Sequence, residues 1–215
     1  IIEPEFDKNF IYDSFANRKS KGTLNAIKRF DYFKRKVTKN NSRECFVLKA
    51  DIKKYFENVD HNVLLEILKS KINDKNILDL INIILKNHKT DKQDKGMPLG
   101  NLTSQFFANV YLNELDQFVK HELKAGYYIR YVDDFIILHD SRKELAHYKC
   151  RIENHLKDNL KLELHKDKTK IIPLSKGVTF LGFKTFPYHR TIKKKNKKKF
   201  ERKFKNLKAT YNENE

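Results

Sequence analysis

The stretch that most restricts this chain is Tyr131-Val132-Asp133-Asp134, two adjacent carboxylates set between apolar runs. Tyr127, Tyr128 and Ile129 precede it, and Phe135, Ile136, Ile137 and Leu138 follow. Runs of that composition read as two buried strands joined by a turn. Like charges rooted in a hydrophobic hairpin repel one another unless water or a cation reaches them. A divalent metal suits such oxygen donors, and Mg2+ is commonly held by one or two carboxylates together with substrate phosphates. A type I′ turn that happens to use Asp is the plainer reading, and these four residues leave both open.

Composition narrows the partners. The 215 residues carry a net charge of +18 with 39% hydrophobic and 12% aromatic residues, so the chain has a core and also attracts polyanions, most simply nucleic acid. The charge is concentrated: between Arg190 and Lys208 stand 11 Lys or Arg against the single acid Glu201. Phe200, Phe204 and Leu207 recur there at helical spacing, which predicts an ordered basic helix from about Lys197 rather than a loose tail. The first residue is Ile1, as expected of a fragment or a trimmed chain. No apolar run reaches the roughly 18 residues of a membrane span. The cytosol is the expected location, with Cys45 and Cys150 reduced and buried.

Three further stretches gain weight from the paired carboxylates. Phe46 to Ile52 reads as a strand that delivers Asp51 near its end, and a neighbouring place in one sheet would bring three carboxylates to one edge. Such a cluster is what two-metal phosphoryl transfer requires. Asp13 to Thr23 sets Arg18, Lys19 and Lys21 among small residues ahead of a helix with Leu24, Ile27 and Phe30 on its apolar face. That loop would suit a phosphate, and an exposed basic loop explains it as well. Asp91 to Asn101, with Gly96, Pro98 and Gly100, is a loop, and the longest amphipathic helix is expected from Leu102 through Val119.

Helices are also expected after the cap Asp60, from about Asp74 to Lys89, and after the capping pair Ser141 and Glu144. Short strands are expected at Thr169 to Ile172 and at Val178 to Phe183, the second paired with the first or running on through Phe186. The order predicts an α+β domain whose antiparallel sheet is covered on one face.

With these pieces in place the chain resembles a reverse transcriptase over residues 11–186. The matching motifs stand in the family's order. They are Asp13 to Thr23, Lys49-Ala50-Asp51-Ile52-Lys53-Lys54-Tyr55-Phe56, Gly96 to Asp116, Tyr131 to Asp134, Leu162 through Lys170, and Phe180-Leu181-Gly182-Phe183. The resemblance implies a right-hand polymerase fold: an antiparallel palm sheet with helices on one face, inserted fingers, and a thumb that barely begins. Residues 1–50 and 73–100 would be fingers, 51–72 and 101–188 palm with the primer grip, and 189–215 the start of a basic thumb or connector.

The resemblance also assigns roles. Asp51 and Asp133, with Asp134 and the backbone of Ile52, would hold two Mg2+ ions, for which Mn2+ could substitute. Arg18, Lys21, Leu99, Gly100, Gln105 and Lys168 would meet the incoming deoxynucleoside triphosphate, with Lys168 placed to protonate the leaving pyrophosphate. Phe56 would be the steric gate against a ribose 2′-hydroxyl, although a core aromatic beside Tyr55 is the plainer reading. Phe180, Leu181 and Gly182 would grip the primer, DNA or RNA. Lys194 and Lys198 would follow the backbone of primer and template RNA.

One segment departs from most of the family. Leu99-Gly100-Asn101-Leu102-Thr103-Ser104-Gln105 has Leu where Gln is usual and Gln105 where Pro is usual. This variant is similar to the enzymes of diversity-generating retroelements. That subtype implies error-prone copying opposite template adenine and a small basic helical-bundle accessory protein. The alternatives are the reverse transcriptase of a group II intron, a retron or a phage-defence system, and an inactive nucleic-acid-binding protein of the same fold. The presence of Asp51, Asp133 and Asp134 argues against the inactive protein. Phe56 and Val132 argue against an RNA-directed RNA polymerase.

Overall fold

The computed structural model describes residues 2–87, 94–98 and 100–212. Its centre is an antiparallel sheet of four strands in the order β2-β3-β1-β4: β1 is Phe46–Asp51, β2 Tyr128–Tyr131, β3 Asp134–His139 and β4 Lys170–Pro173. β1 and β3 are central because both of their faces are apolar: Val47, Leu48, Ala50, Phe135, Ile136, Ile137 and Leu138 are all buried. The β1–β3 register runs from Phe46 opposite His139 to Asp51 opposite Asp134. β2 ends the sheet, and Ser14 makes a parallel bridge to Arg130 along its outer edge.

The helices, in chain order, are α1 (Glu3–Asp7), α2 (Thr23–Val37), α3 (Tyr55–Asn58), α4 (His61–Lys69), α5 (Lys75–Lys86), α6 (Leu102–Gln117), α7 (Arg142–Leu160) and α8 (Lys194–Asn212). Four of them start on capping side chains. Asp60, Asp74, Asn101 and Ser141 each accept a hydrogen bond from backbone N–H groups of the first turn, which otherwise lack partners. α6 continues as a π-helical turn, Phe118–Glu122. With that turn the helix runs unbroken from Leu102 to Glu122 and is longer than the 19 residues of α7. α7 buries Leu145, Ile152, Leu156 and Leu160, and Tyr148 on the same side is half-buried.

α4, α6 and α7 cover one face of the sheet in a core that includes Leu48, Phe107, Tyr111, Phe135 and Ile137. The other face is not bare. α2 packs on it through Ala26, Ile27, Phe30 and Phe33, joined by Val178 and Phe180 from a second small sheet. Leu24, expected on the apolar face of α2, is exposed, one residue inside the helix start.

That second sheet corrects the reading of Val178 to Phe183 as a single strand. It has the order β5 (Val178–Phe180), β6 (Phe183–Thr185), β7 (Arg190–Ile192). The chain reverses at Leu181 and Gly182, with φ of 48° and 86°. Two consecutive left-handed residues make a tight hairpin turn, which Gly adopts freely and Leu does not. β5 therefore pairs with β6 and leaves β4 to β1. Cys45 is buried as expected, but Cys150 is exposed because it lies on the outer side of α7. Among the described residues no helix is long and apolar enough to cross a membrane.

Candidate active site

The three carboxylates come together at one end of the large sheet. Asp51 closes β1, Asp134 opens β3 opposite it, and the N–H of Ile52 donates to the Asp133 carbonyl at 3.1 Å. This last bond ties the strand bearing Asp51 to the turn bearing Asp133. The turn is not the type I′ form, which needs positive φ at both central residues. Val132 has φ of 55°, whereas Asp133 is not in the left-handed region. A β-branched residue there is a real outlier, costing about 1–3 kcal/mol that the surroundings must offset.

Burial in this pocket works against charge. Asp133 has its pKa raised, first by burial and then by Asp51 nearby. Asp134 is pushed up to about 6, mainly by burial, with Lys49 opposing and Asp51 and Asp133 adding to it. Two lysines answer the charge: Lys168 Nζ donates to Asp51 Oδ1 at 2.9 Å, and Lys49 Nζ lies 3.6 Å from Asp134 Oδ2. The bond to Asp51 in turn raises the pKa of Lys168. Lys49 was missed in the sequence, although it sits two residues before Asp51 and so on the same face of β1.

The residues present fit a divalent cation that phosphates complete. Asp134 Oδ1 is buried and has no hydrogen-bond partner, an acceptor left without a donor. Among the described residues no group of three or more His, Cys, Asp or Glu side chains forms a ready-made metal cage. Mg2+ rarely needs one, since it keeps waters and substrate oxygens in its shell.

Other expected site residues fall less simply. Lys168 joins the carboxylates, as described. Arg18 is committed elsewhere: Nε donates to Asp7 Oδ1 at 2.7 Å, and Nη1 to the carbonyls of Ile11 and Ser14. Lys21 bonds the Tyr12 carbonyl at 2.9 Å and lies 3.5 Å from the Tyr12 ring centre, with its pKa lowered by burial and then by Arg18. Phe56 is half-buried against the Tyr55 ring, and its carbonyl accepts from Met97 N at 2.7 Å. Gly100 has φ of 82°, and Gln105 lies in the first turn of α6. Leu99 lies outside the described residues.

In the expected primer grip, Phe180 is fully buried edge-on to Phe30 and paired with Phe183 across β5 and β6, so it is not open to a primer in this conformation. Leu181 and Gly182 form the turn. Gly182 approaches α8 closely, since a Cβ there would lie 2.7 Å from Asn196 Nδ2. Lys194 and Lys198 are exposed on α8.

Beneath the turn lies a buried polar cluster that sequence reading did not find. Arg130 and Asp116 are both fully buried and pair through two bonds, Nε to Oδ1 at 2.8 Å and Nη2 to Oδ2 at 2.7 Å. Arg130 Nη1 also donates to Asn109 Oδ1 at 3.2 Å and to the Val132 carbonyl at 3.1 Å. The Tyr128 hydroxyl donates to Asp116 Oδ1 at 2.7 Å. An arginine one residue before an apolar-flanked acidic turn, with an acid on a buried helix, is the signal that was available.

A twisted antiparallel sheet with three acids at one end, backed by helices and edged by lysine, is the palm of a right-hand nucleic-acid polymerase. The chain belongs to the reverse transcriptase (RNA-dependent DNA polymerase) family, whose model matches residues 1–185. It is 26% identical to Protein YkfC of Escherichia coli (strain K12), over 91% of this chain and 59% of that protein. It is 32% identical to the group II intron-encoded protein LtrA of Lactococcus lactis subsp. cremoris, over 59% of this chain and 22% of LtrA. The fold is that of telomerase from Candida albicans, solved with a fragment of telomeric RNA: TM-score 0.70, 12% identity, 90% of this chain and 37% of the other. The chain thus spans less than two thirds of the length of these proteins, from 22% of LtrA to 59% of YkfC.

Proposed function

We propose that this chain is the catalytic part of an RNA-directed DNA polymerase that copies template RNA into cDNA from a DNA or RNA primer. The observation that carries this reading is the meeting of Asp51, Asp133 and Asp134 at one sheet end, with Lys168 bonded to Asp51. Asp51, Asp133, Asp134 and the Ile52 carbonyl would hold two Mg2+ ions, or Mn2+ in their place. Bound there, the ions would lower the pKa of a primer 3′-hydroxyl and neutralise charge on the leaving pyrophosphate.

The chain's own groups supply the rest. The Ile52–Asp133 bond keeps the carboxylates in a fixed relation, so that the reacting atoms need little rearrangement. Lys168 leaves Asp51 when a cation takes that oxygen, and its ammonium then faces the phosphates and donates a proton to the departing pyrophosphate. Phe56 stands as the gate against a 2′-hydroxyl, which selects deoxynucleotides. Lys21 and, after release from Asp7, Arg18 contact the triphosphate, with Leu99, Gly100 and Gln105 along the nascent pair. The turn at Leu181 and Gly182 and the lysines of α8 hold primer and template. The division into fingers, palm and an incipient thumb follows the boundaries given above, and the enzyme works in the cytosol.

The subtype we favour is that of a diversity-generating retroelement, on the Leu99 to Gln105 variant, with a basic helical-bundle accessory protein as partner. The likeness to LtrA favours a second reading, a group II intron enzyme. The test is primer extension on a defined RNA with Mg2+ and with Mn2+, the products sequenced, beside Asp133→Asn. Extension lost in that variant, with errors concentrated opposite template adenine, supports enzyme and subtype together. Faithful extension keeps the polymerase and transfers it to the second reading. No extension by the chain in its full-length form with either ion overturns the enzyme.

A further inference from the structure

We infer that Arg130, held by Asp116, is a positioning residue of the polymerase centre: it fixes the Val132 backbone and thereby the direction in which Asp133 presents its carboxylate. This rests on the reading of Asp51, Asp133 and Asp134 as cation ligands. Val132 takes φ of 55°, a region that branched side chains avoid and that Gly or Asn enters freely. Nothing in the residue itself holds it there. Its carbonyl, however, accepts from Arg130 Nη1 at 3.1 Å, and the orientation of that carbonyl sets the plane of the peptide leading into Asp133.

The donor is itself immobile. Its guanidinium is forked onto Asp116, and the same Nη1 that reaches Val132 also reaches Asn109 Oδ1. Asp116 is steadied by the Tyr128 hydroxyl, and Asn109 Nδ2 bonds the Ala16 carbonyl at 2.8 Å. The backbone of Arg130 adds two bonds to the N-terminal segment: its N–H to the Asp13 carbonyl, and its carbonyl to the Phe15 N–H, both at 3.0 Å. The cluster thus joins α6, the N-terminal segment and the acidic turn.

Stability alone is a poor reason for a fully buried ion pair, because apolar residues of equal volume often serve as well or better. What apolar residues cannot supply is a rigid, planar donor aimed at one carbonyl. A purely structural role would make the pair matter equally whatever residue occupies position 132. A positioning role would not.

The test compares Arg130→Lys in two backgrounds, native and Val132→Asn, by Mn2+ titration followed by electron paramagnetic resonance, with thermal melting recorded in parallel. In the native background Arg130→Lys should weaken Mn2+ about 10-fold or more, the usual cost of losing a supporting partner of a metal ligand. In the Val132→Asn background the asparagine holds a left-handed turn by itself. There the same change should weaken Mn2+ by less than about 3-fold, with melting showing that each variant remains folded. Should Arg130→Lys fail to fold, Asn109→Ala keeps the ion pair and removes one of the two acceptors that aim Nη1, and it should weaken Mn2+ while leaving most of the melting temperature. Unchanged Mn2+ affinity in the folded variant, or equal weakening in both backgrounds, overturns the inference. A native chain that binds no Mn2+ overturns the ligand reading and this inference with it, and so is distinct from the case in which only the variants are silent.

Discussion

Asp51 and Asp134 are register partners across β1 and β3, and each has its own lysine: Lys168 on Asp51 and Lys49 on Asp134. The two pairs differ in kind. Lys168 is over half exposed and comes from a loop, whereas Lys49 is mostly buried and rooted in the same strand as Asp51. The exposed pair can open at little cost, since exposed ion pairs contribute little. The strand-borne one stays.

Replacing the proposed ligands should separate chemistry from folding. Asp51→Asn and Asp133→Asn are each expected to lower single-nucleotide incorporation by at least about 100-fold, more than the loss of a supporting partner. The melting temperature should not fall in either. A variant that melts early would point to a structural role.

Asp134 gives a pH prediction with a definite sign. Its pKa rises from an ordinary 3.8 to about 6 in the fold, so the folded chain holds the proton more tightly than the unfolded one. Stability is therefore highest below the unfolded value and declines as pH rises from about 4 to 6, after which the penalty is constant. Asp134→Asn should remove that decline and stabilise the metal-free protein at pH 7 by about 1–2 kcal/mol, or roughly 2–8 °C in melting temperature. Melting curves from pH 4 to 8 check this, and added Mg2+ should narrow the gap by binding only the native chain.

Lys168→Met should slow incorporation about 10-fold or more, near the lower end of what proton transfer contributes. The alkaline limb of the pH–rate profile should disappear with it, while the KM for nucleotide changes little. A raised KM with an unaltered profile would make Lys168 a phosphate contact and not the acid.

Phe56→Ala tests the gate. The variant should accept ribonucleotides at least about 10-fold more readily relative to deoxynucleotides, since a clash with one hydroxyl is relieved. Competition between the two nucleotide types in one reaction reads this ratio directly. An unchanged ratio would leave Phe56 as packing for Tyr55.

His155 offers a check far from the acids. Its ring stacks on Phe118 at 4.0 Å, Nε2 is buried without a partner, and burial lowers its pKa below the usual 6.5. The unfolded chain then takes up the proton first. Stability should be full above about pH 7 and fall as the pH drops through 6.5. Urea midpoints between pH 5 and 7.5 should show the slope in the native chain and not in His155→Gln.

Much of this was legible in sequence because period and charge agree. The apolar run from Phe46 ahead of Asp51 and the apolar flanks of Asp133-Asp134 gave strands, and the six motifs in order gave the family. Lys168 could be placed only by resemblance, and there it fell beside Asp51. What stayed hidden depends on contacts distant in the chain. Arg130 looks like any strand residue until Asp116, 14 positions earlier, is known to face it. The hairpin at Leu181-Gly182 was read as continuous strand because Leu gives no turn signal. Arg18 looked free because its partner Asp7 lies 11 residues away.

The parallel bridge from Ser14 to Arg130 has a practical bearing on how the protein is handled. β2 is the outermost strand of its sheet, and the segment from Asp13 to Phe15 lies along its open side. An unprotected strand edge recruits other chains. A shortened form starting after Phe15 would carry Asp51, Asp133 and Asp134 and yet expose that edge. It should come out of the cell as aggregate, and its silence in an assay would say nothing about chemistry.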